Sequence, residues 1–312
     1  LTRARPHGPP GPGAIPAARP CCGHDAARKR GLHLSCFSTC GVLAINTLDR
    51  IIAEVGRGEV VFPTHADVAI RVRLALENPD LNLGDAAQLV QAEPFLAARV
   101  VALANSVVFN RGGPVSDVRN AIGRLGIRFV KALATAVVMR QMAGNSQSPE
   151  CQLLSERLWE HSAHVAALAN VLALRFMRPL ADRALFAGMV HEVGNFYLIS
   201  RVDAYPDLFA DPGMLSLQTE MTLGRAVLKA LAVPDEVVDA VEALWQPRPI
   251  NFPPSGLPDF LALANRLTPI LSPLQRGETT SQSDVSDTAS LPGEILEESA
   301  EDMEALTKAL LY

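Results

Sequence analysis

From residue 45 to about residue 272 apolar side chains return every three or four positions and never alternate strictly with polar ones, so helices are predicted throughout and strands nowhere. Ile45, Leu48, Ile52 and Val55 form a first apolar stripe; Val68, Val72 and Ala75 form a second, stopped by Asn78-Pro79. Asn82 followed by Asp85 has the form of an N-cap with an acid in the first turn, and Pro94 stands where an N1 proline opens a helix ending near Asn105. After the breakers Asn110-Arg111-Gly112-Gly113-Pro114, helices are predicted over about 117–124 and 126–141. The run Gly144-Asn145-Ser146-Gln147-Ser148-Pro149 then interrupts the pattern and is the expected domain boundary. Beyond it, helices are predicted over about 152–177, 182–201, 215–231, Asp235–Leu244 and Leu257–Leu267.

Short helices with short connections imply an all-α, two-lobed helical bundle, with residues 45–143 in the first lobe and 150–272 in the second. Residues 1–40, rich in Arg, Pro, Gly and Cys and without a period, are expected to form a disordered tail. They are read as an upstream extension of a natural protein that begins near Val42 or Leu43. Residues 273–312 are expected to be an acidic flexible tail, in which Ile295, Met303, Leu306 and Leu310 could mark a helix that is read as frayed and solvated rather than as a docking peptide.

Composition narrows the function. Of 312 residues 48% are hydrophobic, enough for a sizeable core, and the net charge of -5 makes nucleic acid an unexpected partner. Arg124, Arg128, Lys131 and Arg140 are spread along two helices rather than gathered on one basic face, and Arg28-Lys29-Arg30 is a weak basis for a nucleic-acid arm. Apolar runs fall short of the roughly 18–20 residues that span a bilayer, so no membrane partner is expected and the expected compartment is the cytoplasm. Cys21, Cys22, Cys36 and Cys40, interspersed with His24 and His33, lack the paired Cys-x-x-Cys spacing of a zinc knuckle and are read as a chance cluster.

The run Gln91-Ala-Glu-Pro94 through Ala104-Asn105-Ser106 closely resembles the signature of the HDOD family, in which an acid and a proline lead into a helix ending in Ala-Asn-Ser. Val115-Ser116-Asp117, Asn120-Ala121-Ile122, Leu125-Gly126 and Val130 continue the resemblance, which spans about residues 58–270. In the second lobe, Trp159-Glu160-His161-Ser162 and Met189-Val190-His191-Glu192-Val193-Gly194-Asn195 look like the His and His-Asp-x-Gly-Lys motifs of the HD phosphohydrolase superfamily. The resemblance implies an HD-like second lobe whose metal site would use His161, His191, the residue at Glu192 and a late acid at Asn265.

Three departures erode that site: Glu192 replaces the implied Asp, Asn195 the Lys, and Asn265 the late Asp. Asn265 offers a neutral carbonyl in place of a carboxylate, and Glu192 is longer by one methylene. His161, His191 and Glu192 are therefore only weak metal candidates, with no metal and no cofactor expected, and His164 is read as a second histidine at the interior edge. Where relatives carry a His-His pair before proline, this chain has Trp245-Gln246-Pro247. The loop from Trp245 to Pro254, with Trp245, Arg248 and Phe252, is the expected partner-binding face, set against the reading that it closes the core. The resemblance implies a non-catalytic bacterial signal-transduction module that binds a signalling protein or small ligand. The alternative is a residual metal-dependent phosphohydrolase acting on a nucleotide or phosphate ester.

Overall fold

The computed structural model describes residues 47–63, 66–110, 112–144, 146–209, 216–274 and 297–311. Among these the chain is all-helical, and no strand occurs. A helix α1 over 47–56 leads into α2 (Asp67–Ala75), α3 (Leu83–Gln91), α4 (Pro94–Ala104), α5 (Val118–Leu125) and α6 (Ile127–Ala143). Then follow α7 (Pro149–Phe176), α8 (Ala181–Val190), α9 (Val193–Arg201), α10 (Leu217–Ala230), α11 (Asp235–Leu244), α12 (Leu257–Leu267) and α13 (Ala300–Leu311).

Local signals fix many of these boundaries. The Asn82 side chain accepts from the Gly84 and Asp85 amides, the Glu93 carboxylate caps α4 ahead of Pro94, and Asp117 accepts from Asn120 N at the start of α5. Ser148 Oγ accepts from Cys151 N, so α7 opens on Pro149 three residues earlier than the apolar period suggests. At the end of α4, Asn105 clamps the returning chain: its Nδ2 donates to Val115 O at 2.7 Å and its Oδ1 accepts from Val115 N at 2.8 Å. The family-like Asn105 is thus a turn-holding residue, a role that satisfies both backbone groups of Val115.

The buried core is continuous across the break at 144–149, from Leu48 to Leu310. Helix α7, 28 residues and roughly 42 Å long, is its spine and packs against α8, α9, α12 and α13. Its approach to α8 is unusually close because Ala166 faces Gly188. A β-carbon at Gly188 would stand 2.4 Å from Ala166 Cα, a distance no packed side chain tolerates. On the other side of the core, fully buried Arg73 of α2 donates to Thr135 Oγ1 of α6 at 2.6 Å and to Ala232 O beyond α10 at 2.8 Å, and it pairs with Glu77.

Two expectations change. The helix predicted over 182–201 is two helices, α8 and α9, with His191-Glu192 at the turn. Nearly every residue from Ala184 to Ile199 is buried, so no polar stripe marks the change of direction. In the tail expected to be flexible, α13 lies against α4 and α7 with Leu306 and Leu310 fully buried. The cysteine cluster, Arg28-Lys29-Arg30 and the acidic run from Glu278 to Asp287 lie outside the described residues.

Gly188→Ala is expected to cost roughly 2–3 kcal/mol, because its methyl group meets backbone rather than a movable side chain. Urea unfolding checks this. A loss below about 0.5 kcal/mol would show that the α7–α8 contact opens freely.

Candidate functional site

His161 lies in the middle of α7, His191 immediately follows α8, and Glu192 opens α9, so the α7–α8 contact brings all three together. The two Nε2 atoms face each other at 3.1 Å. Glu192 Oε1 stands 3.7 Å from His161 Nε2 and 3.9 Å from His191 Nε2. The extra methylene of Glu192 is therefore accommodated. Asn195 Nδ2 donates to Glu192 Oε2 and turns the other carboxylate oxygen toward the imidazoles.

The opposite edges of both rings are fixed. His161 Nδ1 is 2.6 Å from Ile270 O and His191 Nδ1 is 2.7 Å from Gly188 O. A carbonyl can only accept, so both Nδ1 atoms carry a proton, and in the neutral form of each ring its Nε2 atom is a lone pair. With both rings neutral, two lone pairs and a carboxylate oxygen converge without a donor among them, an arrangement that a shared cation would satisfy. Burial pushes the His191 pKa down to about 4 despite the attraction of Glu192, which disfavours a proton on His191 near neutrality.

The three atoms lie within 4.8 Å of one another. Donors about 2.1 Å from one ion are separated by about 3.0–3.4 Å in octahedral or tetrahedral arrangements, so a small inward movement of Glu192 completes a two-imidazole, one-carboxylate set. His161, His191 and Glu192 therefore fit a divalent transition-metal ion. When bound, such an ion supplies Lewis-acid polarisation of a coordinated oxygen. Asn265 is half-buried on α12 and makes no hydrogen bond to the three. His164 Nδ1 lies 2.9 Å from Glu160 O in its own helix and does not join them.

The HDOD domain model matches residues 62–247, more than half the chain. The chain belongs to the HDOD domain family. It is 24% identical over 167 residues to an uncharacterized protein of Treponema pallidum (strain Nichols), across 52% of this chain and 30% of that protein. The match therefore spans less than a third of that relative. Among solved structures, the HDOD chain is similar to a provisional metal-dependent phosphohydrolase from Shewanella amazonensis SB2B, with TM-score 0.62 and 21% identity over 86% of this chain and 98% of that one. It is also similar to a provisional signal transduction protein from Marinobacter aquaeolei VT8, with TM-score 0.50 and 20% identity over 90% of this chain and 67% of that one. At such identities the likeness shows a shared fold.

The HDOD loop after α11 is more tied down than a free docking face. Trp245 is buried, lies against Gly224 and donates through Nε1 to Glu220 Oε1 at 3.2 Å, so it closes the core and is not an exposed anchor. Arg248 Nη2 donates to Asp259 Oδ1 at 2.7 Å, and Phe252 packs edge-on against Phe176 at 5.7 Å. Both remain partly exposed. The organising residue is Asp259, buried on α12, whose Oδ2 also accepts from Ser255 N at 3.0 Å and Ser255 Oγ at 2.7 Å. Sequence reasoning passed over it, because only the returning loop gives an acid in the first turn of a helix these partners. A separate cleft of about 400 Å3, walled by Arg73, Arg128, Lys131, Asp182, Arg183 and Phe129, is large enough for a small ligand. Several of its charges are already paired, Lys131 with Glu77 and Arg183 with Glu236.

Asp259→Ala is expected to lower stability by roughly 2–4 kcal/mol, less than for a fully buried pair because Arg248 is partly solvated. It should also open the 246–256 loop to proteolysis. A variant as stable and as protease-resistant as the parent would show that Asp259 does not organise the loop.

Proposed function

We propose that this HDOD chain is a non-catalytic signal-transduction module that acts by binding, and that its His161–His191–Glu192 cluster holds a cation as a structural pin. The observation that carries this reading is burial: the three residues are 2–8% exposed, and their outward polar atoms are engaged by Ile270, Gly188 and Asn195. Phosphoryl transfer at a metal needs a coordination position that the substrate can reach, together with groups that neutralise its charge. Asn195 stands where the superfamily pattern has Lys and directs its amide to Glu192, so the cluster itself offers no cation for a phosphate ester.

Pinning has a clear structural use. One ion on His161, His191 and Glu192 would join α7, the α8–α9 turn and, through Ile270, the segment after α12. Signalling then falls to surfaces rather than to chemistry, in keeping with the similarity to the Marinobacter signal transduction protein. Arg248 and Phe252 keep partial exposure and are the proposed contacts for a signalling protein, while Trp245 belongs to the core.

Mn2+, Fe2+ or Zn2+ is expected to raise the melting temperature of the purified chain by about a few degrees, and His191→Ala should abolish the rise. With the same metals, hydrolysis of bis(p-nitrophenyl) phosphate should equal the metal-only blank. Turnover that is lost in His191→Ala would overturn the non-catalytic reading, and the absence of any metal-dependent stabilisation would overturn the pin.

A further inference from the structure

The end of α13 is held in an unusual way. Arg99 of α4 donates to Ala309 O at 3.1 Å, to Leu311 O at 3.1 Å and, more closely, to Leu310 O. Arg140 of α6 donates to Leu311 O at 2.8 Å, and Trp159 Nε1 of α7 donates to Leu310 O at 3.1 Å. The Arg140 guanidinium also lies over the Trp159 ring, 5.8 Å from its centre. Three body helices thus direct cationic and N–H donors at the last carbonyls of one short helix.

Beyond α13, Arg140 feels the attraction of Glu156. Among the described residues neither makes an ion pair, and Arg99 is buried. Burial, with repulsion from Arg140, pushes the Arg99 pKa down to about 10. A helix C-terminus carries roughly half a negative charge and unsatisfied carbonyls, which is what such a pair of guanidiniums is arranged to receive. Leu306 and Leu310 complete the contact as fully buried apolar anchors. Glu301 and Asp302 complement the dipole at the opposite end of α13. At 12 residues α13 is too short to be stable by itself in water, so its helicity depends on this contact.

We propose that the groove of Arg99, Arg140 and Trp159 is a receptor for the C-terminal turn of an acidic amphipathic helix, occupied in this fold by the chain's own α13, which leaves it by local opening. The groove is preorganised by α4, α6 and α7, whose packing belongs to the main core. Its occupant contributes one leucine stripe and three carbonyls. When α13 is displaced, the same donors take the same helix end from another chain, so the site is an interaction surface closed by a self-ligand.

Native-state hydrogen exchange on the full chain tests this, with a synthetic peptide of residues 297–312 as the probe. The amides of α13 should exchange through an opening that leaves α7 protected, and added peptide should speed that exchange in proportion to its concentration. A peptide with Leu306 and Leu310 replaced by Ser should have no effect. Arg140→Ala should accelerate exchange of α13 on the order of tenfold without altering α7, whose protection also reports that the variant is folded. If α13 exchanged only together with α7, or opened locally without responding to the peptide, the proposal would fail.

Discussion

The contact between α7 and α8 is the constraint on which the remainder of the molecule depends. Gly188 lies against the backbone of Ala166 where no β-carbon fits, and this closeness sets the separation of everything attached to the two helices. His161 lies on α7 five residues before Ala166, and His191 follows α8 three residues after Gly188. Their Nε2 atoms meet at 3.1 Å only because the helices do. The Gly188 carbonyl serves twice, as the tip of the close contact and as the acceptor that fixes His191.

Around that contact the fold treats buried charge in two ways. Arg73, Arg99 and Asp259 are each surrounded by fixed partners of the needed polarity, so burial is offset and each ties together segments distant in sequence. The His161–His191–Glu192 cluster is different, because its members present like polarity to one another. Neighbouring carbonyls hold both Nδ1 protons, so with both rings neutral the cluster offers a place for a positive charge. On the proposed reading the cluster would bind the fold together when filled, with Ile270 and Asn195 engaging its outward polar atoms.

Much of the fold was legible because it is encoded locally. Asn82, Pro94 and Asp117 mark helix starts by their chemistry, and the apolar period gave Asp235–Leu244 and Leu257–Leu267 with their observed ends. The turn at His191-Glu192 escaped because a helix buried on every side has no stripe to read. Of the site, the family resemblance named His161, His191 and Glu192 but not their closeness, which depends on Gly188 meeting Ala166. Asp259 and Arg99 resembled ordinary solvated charges, since their partners arrive from 4–11 and more than 200 positions away. The docking of α13 was hidden for the same reason: a short acidic helix is unstable by itself, and its receptor lies on three other helices.

On the proposed reading, a divalent ion held by His161, His191 and Glu192 would be sealed from phosphoryl ligands. The visible absorption of Co2+ bound to the full chain tests it directly, because the bands of a coordinated Co2+ ion respond to each change of ligand. Nitrogen and carboxylate ligation that vanishes in His191→Ala, with bands unmoved by inorganic phosphate, is the predicted result. A phosphate-dependent shift of those bands would place an open coordination position at the cluster and contradict the account.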